Sequence, residues 1–156
     1  MGQIALFSAS VLATLALLLG RFRPTIERPL QIASVIALLV AVLHVISLLI
    51  SEDTSYEIVV DHTRPGLSAL RRAMGLWGGS EGSLLLFALV IGGGLVIAPV
   101  VDRLRAAPSF VIAALSSTSA LAASPFERLT NPAIAGSGLS PILEHWAMII
   151  LSLIHI

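Results

Sequence analysis

Between Leu30 and Ile50 the chain runs for 21 residues without a charged side chain, interrupted only by Gln31, Ser34, His44 and Ser47. As a helix this stretch is about 32 Å long, close to the roughly 30 Å hydrocarbon core of a bilayer. Inside lipid every backbone N–H and C=O must be bonded within the protein, so an isolated run of this kind has to be helical. Three further runs follow the same logic: Ile4–Gly20, Leu84–Val101 and Ser109–Ala123. Only 12% of residues are charged, against about 25% in soluble domains. The expectation is an all-α polytopic membrane bundle with four transmembrane helices at about 4–20, 30–50, 84–101 and 109–123. They would form a single membrane domain over 1–156, with an outer segment at 124–156. The fourth run carries Ser116, Ser117, Thr118 and Ser119, which suits a helix packed closely on its neighbours with hydroxyls bonding across. A fifth apolar run, Trp146–Ile156, ends the sequence.

Charge and cysteine content narrow the function. Nine arginines and no lysine balance nine acids, and there is no cysteine. A neutral chain lacks the basic footprint of a nucleic-acid partner, and thiolate chemistry is excluded. The arginines also orient the chain. The short connections 21–29 and 102–108 hold five of them, whereas the long connections 51–83 and 124–145 hold four. Arginine density beside the spans places the short loops in the cytoplasm, with the N-terminus and both long loops of a multi-pass protein on the outer side. Arg21, Arg23 and Arg28 follow the first run and no charged side chain precedes it. That is the reverse of a signal peptide and favours a retained helix.

The first long loop ends in Trp77-Gly-Gly-Ser-Glu-Gly-Ser-Leu-Leu-Leu86. Ahead of it, Leu67, Leu70 and Met74 with Arg71 and Arg72 outline a short amphipathic helix. Glu81 falls just before the third span, where a helix N-terminus stabilises a carboxylate. Two readings of it stand side by side: a solvated helix-start acid, or a proton or cofactor contact at the membrane edge. The Gly92-Gly93-Gly94 run lies inside a span and reads as close helix packing.

Four histidines are spread along the chain: His44, His62, His145 and His155. No pair has the i, i+4 spacing of a zinc helix, so no metal other than haem iron is expected. Haem needs only one or two imidazoles from distant segments, so spacing leaves that cofactor open. His44 reads either as a ligand or as a bond to a neighbouring helix. His62 and His145 each read as exposed loop residues. No catalytic constellation is legible.

The stretch Trp77, Gly78, Gly79, Glu81, Gly82, Ser83 through Leu86 resembles the CcmF family of cytochrome c-type biogenesis proteins, membrane haem lyases that carry Trp-Gly-Gly-His-Glu-Gly-Ser-Leu-Leu-Leu-Trp. Asp53 to Thr63, Ser124-Pro-Phe-Glu-Arg128, Gly138-Leu-Ser-Pro-Ile-Leu-Glu144 and the Gly2-to-Leu6 start resemble family segments in the same order. The resemblance covers the first quarter or so of a family member. Departures are Ser80 for His, Phe87 for Trp, Ser140 for Asn and Glu144 for Gln.

The resemblance implies haem binding and delivery at the outer, periplasmic face of the bacterial inner membrane, for covalent attachment to apocytochrome c. It implies haem b as a transient cofactor. It implies a haem chaperone, apocytochrome c and other maturation subunits as partners within the bilayer. His155 falls where the family places an axial haem ligand in His-Pro-Pro, here without the prolines. The family's tryptophan-rich haem segment is also missing, so the piece is expected to be inactive alone. The C-terminal apolar segment is expected to lie along the outer face rather than span. Trp77 and Glu81 are expected to organise that face without an assigned catalytic step. The alternatives are a non-haem structural or assembly subunit, and an ion- or proton-coupled transporter fragment using Glu81 and His44.

Overall fold

A computed structural model describes residues 1–98, 105–130, 136 and 138. Among them the chain is helical, without β-strands. The elements are α1 (Gly2–Gly20), α2 (Pro24–Ser51), α3 (Glu57–His62), α4 (Ala69–Ala73), α5 (Ser80–Ile97) and α6 (Ala106–Leu121). A 3-10 turn, Met74–Trp77, joins α4 to α5. Three helices, α1, α2 and α5, are long and apolar enough to cross a membrane, while α6 is a shorter apolar helix of 16 residues.

The boundaries differ from the expected spans for local reasons. The second helix begins at Pro24 rather than near 30, because proline suits the first helical position, where its missing N–H costs nothing. The third begins at Ser80 and stops at Ile97 instead of running 84–101. Its last flanking residue, Ala98, is extended (φ −65°, ψ 136°) and precedes a proline in the sequence, which disfavours a helical residue before it.

Small residues decide how the helices meet. On α1 the fully buried stripe Leu6, Ala9, Ala13 and Ala16 recurs every three or four positions, which brings α1 against both α2 and α6. On α5, a Cβ at Gly92 would strike Ile112 of α6, so one member of the glycine run serves close packing, while Gly94 has nothing within 4 Å. The hydroxyl-rich α6 also behaves as expected: Ser117 and Ser10 of α1 bond across at 2.6 Å. The faces left over carry exposed Ile4, Phe7 and Val11 on α1, Ile36, Leu39 and Leu43 on α2, and Phe110 on α6. These suit lipid contact.

At one end of the bundle, Gln31 of α2 is 2% exposed. Its Nε2 donates to the Arg105 carbonyl and to Ser109 Oγ, both at 2.9 Å, and lies 3.4 Å from Glu27 Oε1. At the other end α3, α4 and the segment 124–130 form a cap, described next.

Candidate functional site at the capped face

The cap is pinned by backbone pairing between distant segments. Glu57 N–H donates to the Glu127 carbonyl at 3.1 Å and Leu129 N–H to the Ser55 carbonyl at 3.0 Å, around an isolated antiparallel bridge of Tyr56 with Arg128. Arg128 Nη2 donates to Tyr56 Oη at 2.9 Å, with its guanidinium carbon 5.1 Å from the phenol ring centroid. That bond, first, and the Tyr56 charge, second, push the Arg128 pKa above the usual guanidinium range. On the other side the short helix expected there is α4, which Ser68 caps by accepting from Arg71 N–H at 3.5 Å. Arg72 then reaches back to α2, pairing with Glu52 at 3.1 Å and donating to the Ile50 carbonyl at 3.0 Å. Leu67 is buried but Leu70 is exposed, so the apolar stripe there is only partly covered.

The glycine-rich motif forms the joint between this cap and α5. Gly79 is the residue just before α5, extended at φ −129°, and Glu81 falls in the first helical turn, as expected. Ser83 Oγ donates to the Trp77 carbonyl at 3.1 Å and Ser83 N–H to the Gly79 carbonyl at 3.2 Å. Two of the glycines matter by contact rather than by conformation, Gly82 against backbone and Gly79 against side-chain ends. A Cβ at Gly82 would strike the Leu76 carbonyl, and one at Gly79 would stand 2.6 Å from His62 Nε2 and 2.7 Å from Glu81 Oε2.

His62 thus belongs to the motif in space, which corrects its reading as an exposed loop residue. It is half-buried, and its Nδ1 lies 3.0 Å from the Ile58 carbonyl. Since that carbonyl can only accept, Nδ1 carries the proton and a neutral ring keeps its lone pair on Nε2. The signal available in the sequence was the pairing of a helix-terminal histidine with a bare glycine 17 positions on, which no spacing rule marks. Glu81 has a local partner, accepting from Ser80 Oγ at 3.0 Å. It also lines a small cavity of about 150 Å³ with Glu57, Asp61 and Glu127. Among the described residues no three histidine or acidic groups stand close enough to hold a metal ion.

His44 occupies a second recess. Its ring packs on Phe126 (centroids 5.9 Å apart, 32° between planes), and Gly2 lets the first turn of α1 close over both rings. The expected alternative of a bond to a neighbouring helix is not realised among the described residues. His44, Tyr56, Phe126, Glu127, Arg128 and the first turn of α1 line a cavity of about 380 Å³. His145 and His155 lie outside the described residues.

The described imidazoles do not build an iron site. A haem ligand needs a fixed tautomer and open space at the ligating nitrogen. His62 has the first but turns Nε2 onto Gly79 beside Glu81; the His44 ring packs on Phe126 but has no hydrogen-bond partner among the described residues to fix its tautomer. No step through haem follows from these residues.

The fold and the cap define a helical membrane protein with an organised cap on one face. The chain is similar to the probable cytochrome c-type biogenesis protein NrfE of Escherichia coli (strain K12). They share 33% identity over 106 residues, covering 62% of this chain and 19% of that protein. The chain therefore spans about a fifth of the length of this curated relative. No family model and no solved structure matches it.

Proposed function

We propose that this chain is the membrane framework for the opening part of a CcmF/NrfE-like factor, which handles haem at the outer face for attachment to apocytochrome c. The single observation that carries the reading is the likeness to a cytochrome c-type biogenesis protein. The cap supports it, because the residues matching the family motif are those that join the outer loop to α5. In this reading α6 is the fourth span. At about 24 Å it is short for the bilayer, but it packs along α1 and α5. The capped face is periplasmic, and the Arg21, Arg23 and Arg105 end is cytoplasmic. A haem chaperone, apocytochrome c and other maturation subunits would meet the capped face.

Haem, when bound in the full assembly, supplies the vinyl groups that become bonded to the client's thiols. The residues described here hold the frame. The Tyr56–Arg128 bridge fixes the height of α3, and Gly79 and Gly82 let the motif seat against His62 and Leu76.

Exchange of the matched stretch tests the reading. The corresponding stretch of the E. coli relative is replaced by the 106 matched residues of this chain, and holocytochrome c is measured by haem staining after denaturing electrophoresis. The chimera is expected to yield covalent haem. A chimera that inserts in the membrane at normal abundance yet yields none would overturn the proposal.

A further inference from the structure

The recess around His44 combines features that a purely structural joint does not need. His44 is the twenty-first residue of α2, about 10 Å below the end of that helix, at membrane depth. Ionisable groups at that depth are costly and mark sites more often than surface ones do. Its imidazole is half-buried, and neither ring nitrogen has a hydrogen-bond partner among the described residues. The residue lines the 380 Å³ cavity. The wall opposite is rich in donors. Arg128 spends one guanidinium N–H on Tyr56 Oη and makes no other hydrogen bond or ion pair among the described residues. Tyr56, having accepted that bond, keeps its own O–H to donate. Phe126 and the ring of Tyr56 supply apolar walls, and beyond the rim the first turns of α1 expose Ile4 and Phe7.

We propose that this recess binds the anionic headgroup, a carboxylate or phosphate, of an amphiphile dissolved in the membrane beside the cap. The guanidinium offers a planar fork suited to two oxygens of such a group. Tyr56 O–H and a His44 N–H supply donors from the other side. Glu127 also lines the recess and is exposed, as Arg128 is, and Asp53 lies close enough to act on the Arg128 charge. These acids set a preference for a singly charged headgroup that the arginine can grip over a diffuse polyanion. An amphiphile fits better than a free anion because the first turn of α1 both lines the polar recess and leads directly into the exposed apolar side chains Ile4 and Phe7. The inference does not depend on a role in cytochrome maturation.

Native mass spectrometry of the full chain in a non-ionic detergent tests it, titrating phosphatidylglycerol, phosphatidylcholine, laurate and inorganic phosphate. Phosphatidylglycerol or laurate is expected to bind at least about tenfold tighter than phosphatidylcholine or inorganic phosphate, with the better of the two naming the headgroup class. Arg128→Gln is expected to lose about tenfold, and His44→Gln and Tyr56→Phe several-fold each. Arg71→Gln, a cation of the same face away from the recess, is expected to bind as the unaltered chain does. Equal binding by Arg128→Gln with helical content intact would overturn the proposal. So would an equal loss in Arg71→Gln, which would mean diffuse attraction. Inorganic phosphate binding as tightly as the amphiphiles would overturn the membrane source.

Discussion

Arg128 donates to the phenol oxygen of Tyr56 at 2.9 Å across 72 positions of sequence, and this bond joins the two backbone hydrogen bonds that tie the segment after α6 to the start of α3. Tyr56 raises the Arg128 pKa. A cation whose folded pKa exceeds its unfolded value contributes stability below the unfolded pKa and loses it only as pH rises through the folded one. Both values lie far above neutrality. Tyr56→Phe is therefore expected to lower the unfolding midpoint by the same small amount at pH 6 and pH 9, measured by circular dichroism in detergent. A loss confined to one of those pH values would mean another group carries the tie.

Gly82 and Gly94 sit on the same helix and are expected to respond in opposite directions to alanine. Helix propensity alone favours alanine by about 1 kcal/mol at either position. Gly94 has nothing within 4 Å of a new Cβ, so the substitution is expected to be neutral or stabilising. At Gly82 the new atom meets the Leu76 carbonyl, which is backbone and cannot swing aside. Overpacking of this kind costs about 1–3 kcal/mol, so Gly82→Ala is expected to lower the thermal midpoint clearly. Equal midpoints for the two variants would refute the seat described for the motif.

A third prediction concerns the contact of α5 with α6. Gly92→Ala drives a methyl into Ile112, and Ile112→Ala alone opens a cavity, so each single change is expected to destabilise. Together they are expected to compensate, with a coupling of about 0.5–3 kcal/mol in a double-mutant cycle. Additive losses would show that the two side chains do not meet.

Three of the four expected spans were legible because apolar length is read directly from composition, and the Gly92 contact of α5 was legible because a glycine run inside lipid has few other uses. Boundaries were less so. The start of α2 depends on Pro24 satisfying a helix terminus within an arginine-rich turn, a local effect that a charge count obscures. Within the candidate site, Glu81 was found because it sits at a helix start. His62 was missed because its partner is a missing side chain at Gly79. The Tyr56–Arg128 tie was also missed, because backbone pairing of two irregular segments leaves no periodic trace.

The polar knot around Gln31 yields the last prediction. Its amide nitrogen has two hydrogens, matched to the Arg105 carbonyl and Ser109 Oγ at 2.9 Å each, with Glu27 a weaker third at 3.4 Å. Replacing it by leucine preserves volume but strands a carbonyl, a hydroxyl and the half of Glu27 that faces it. A buried polar group left unpaired costs about 1–3 kcal/mol, while bonds between membrane helices average nearer 0.6 kcal/mol because the unfolded helices also find partners. Gln31→Leu is therefore expected to cost on the order of 1 kcal/mol. Gln31→Glu should cost more, since it removes both donors and sets a second carboxyl beside Glu27. Unfolding in mixed micelles would rank the two, and a glutamate variant as stable as the parent would show that α2 and α6 are not joined through this side chain.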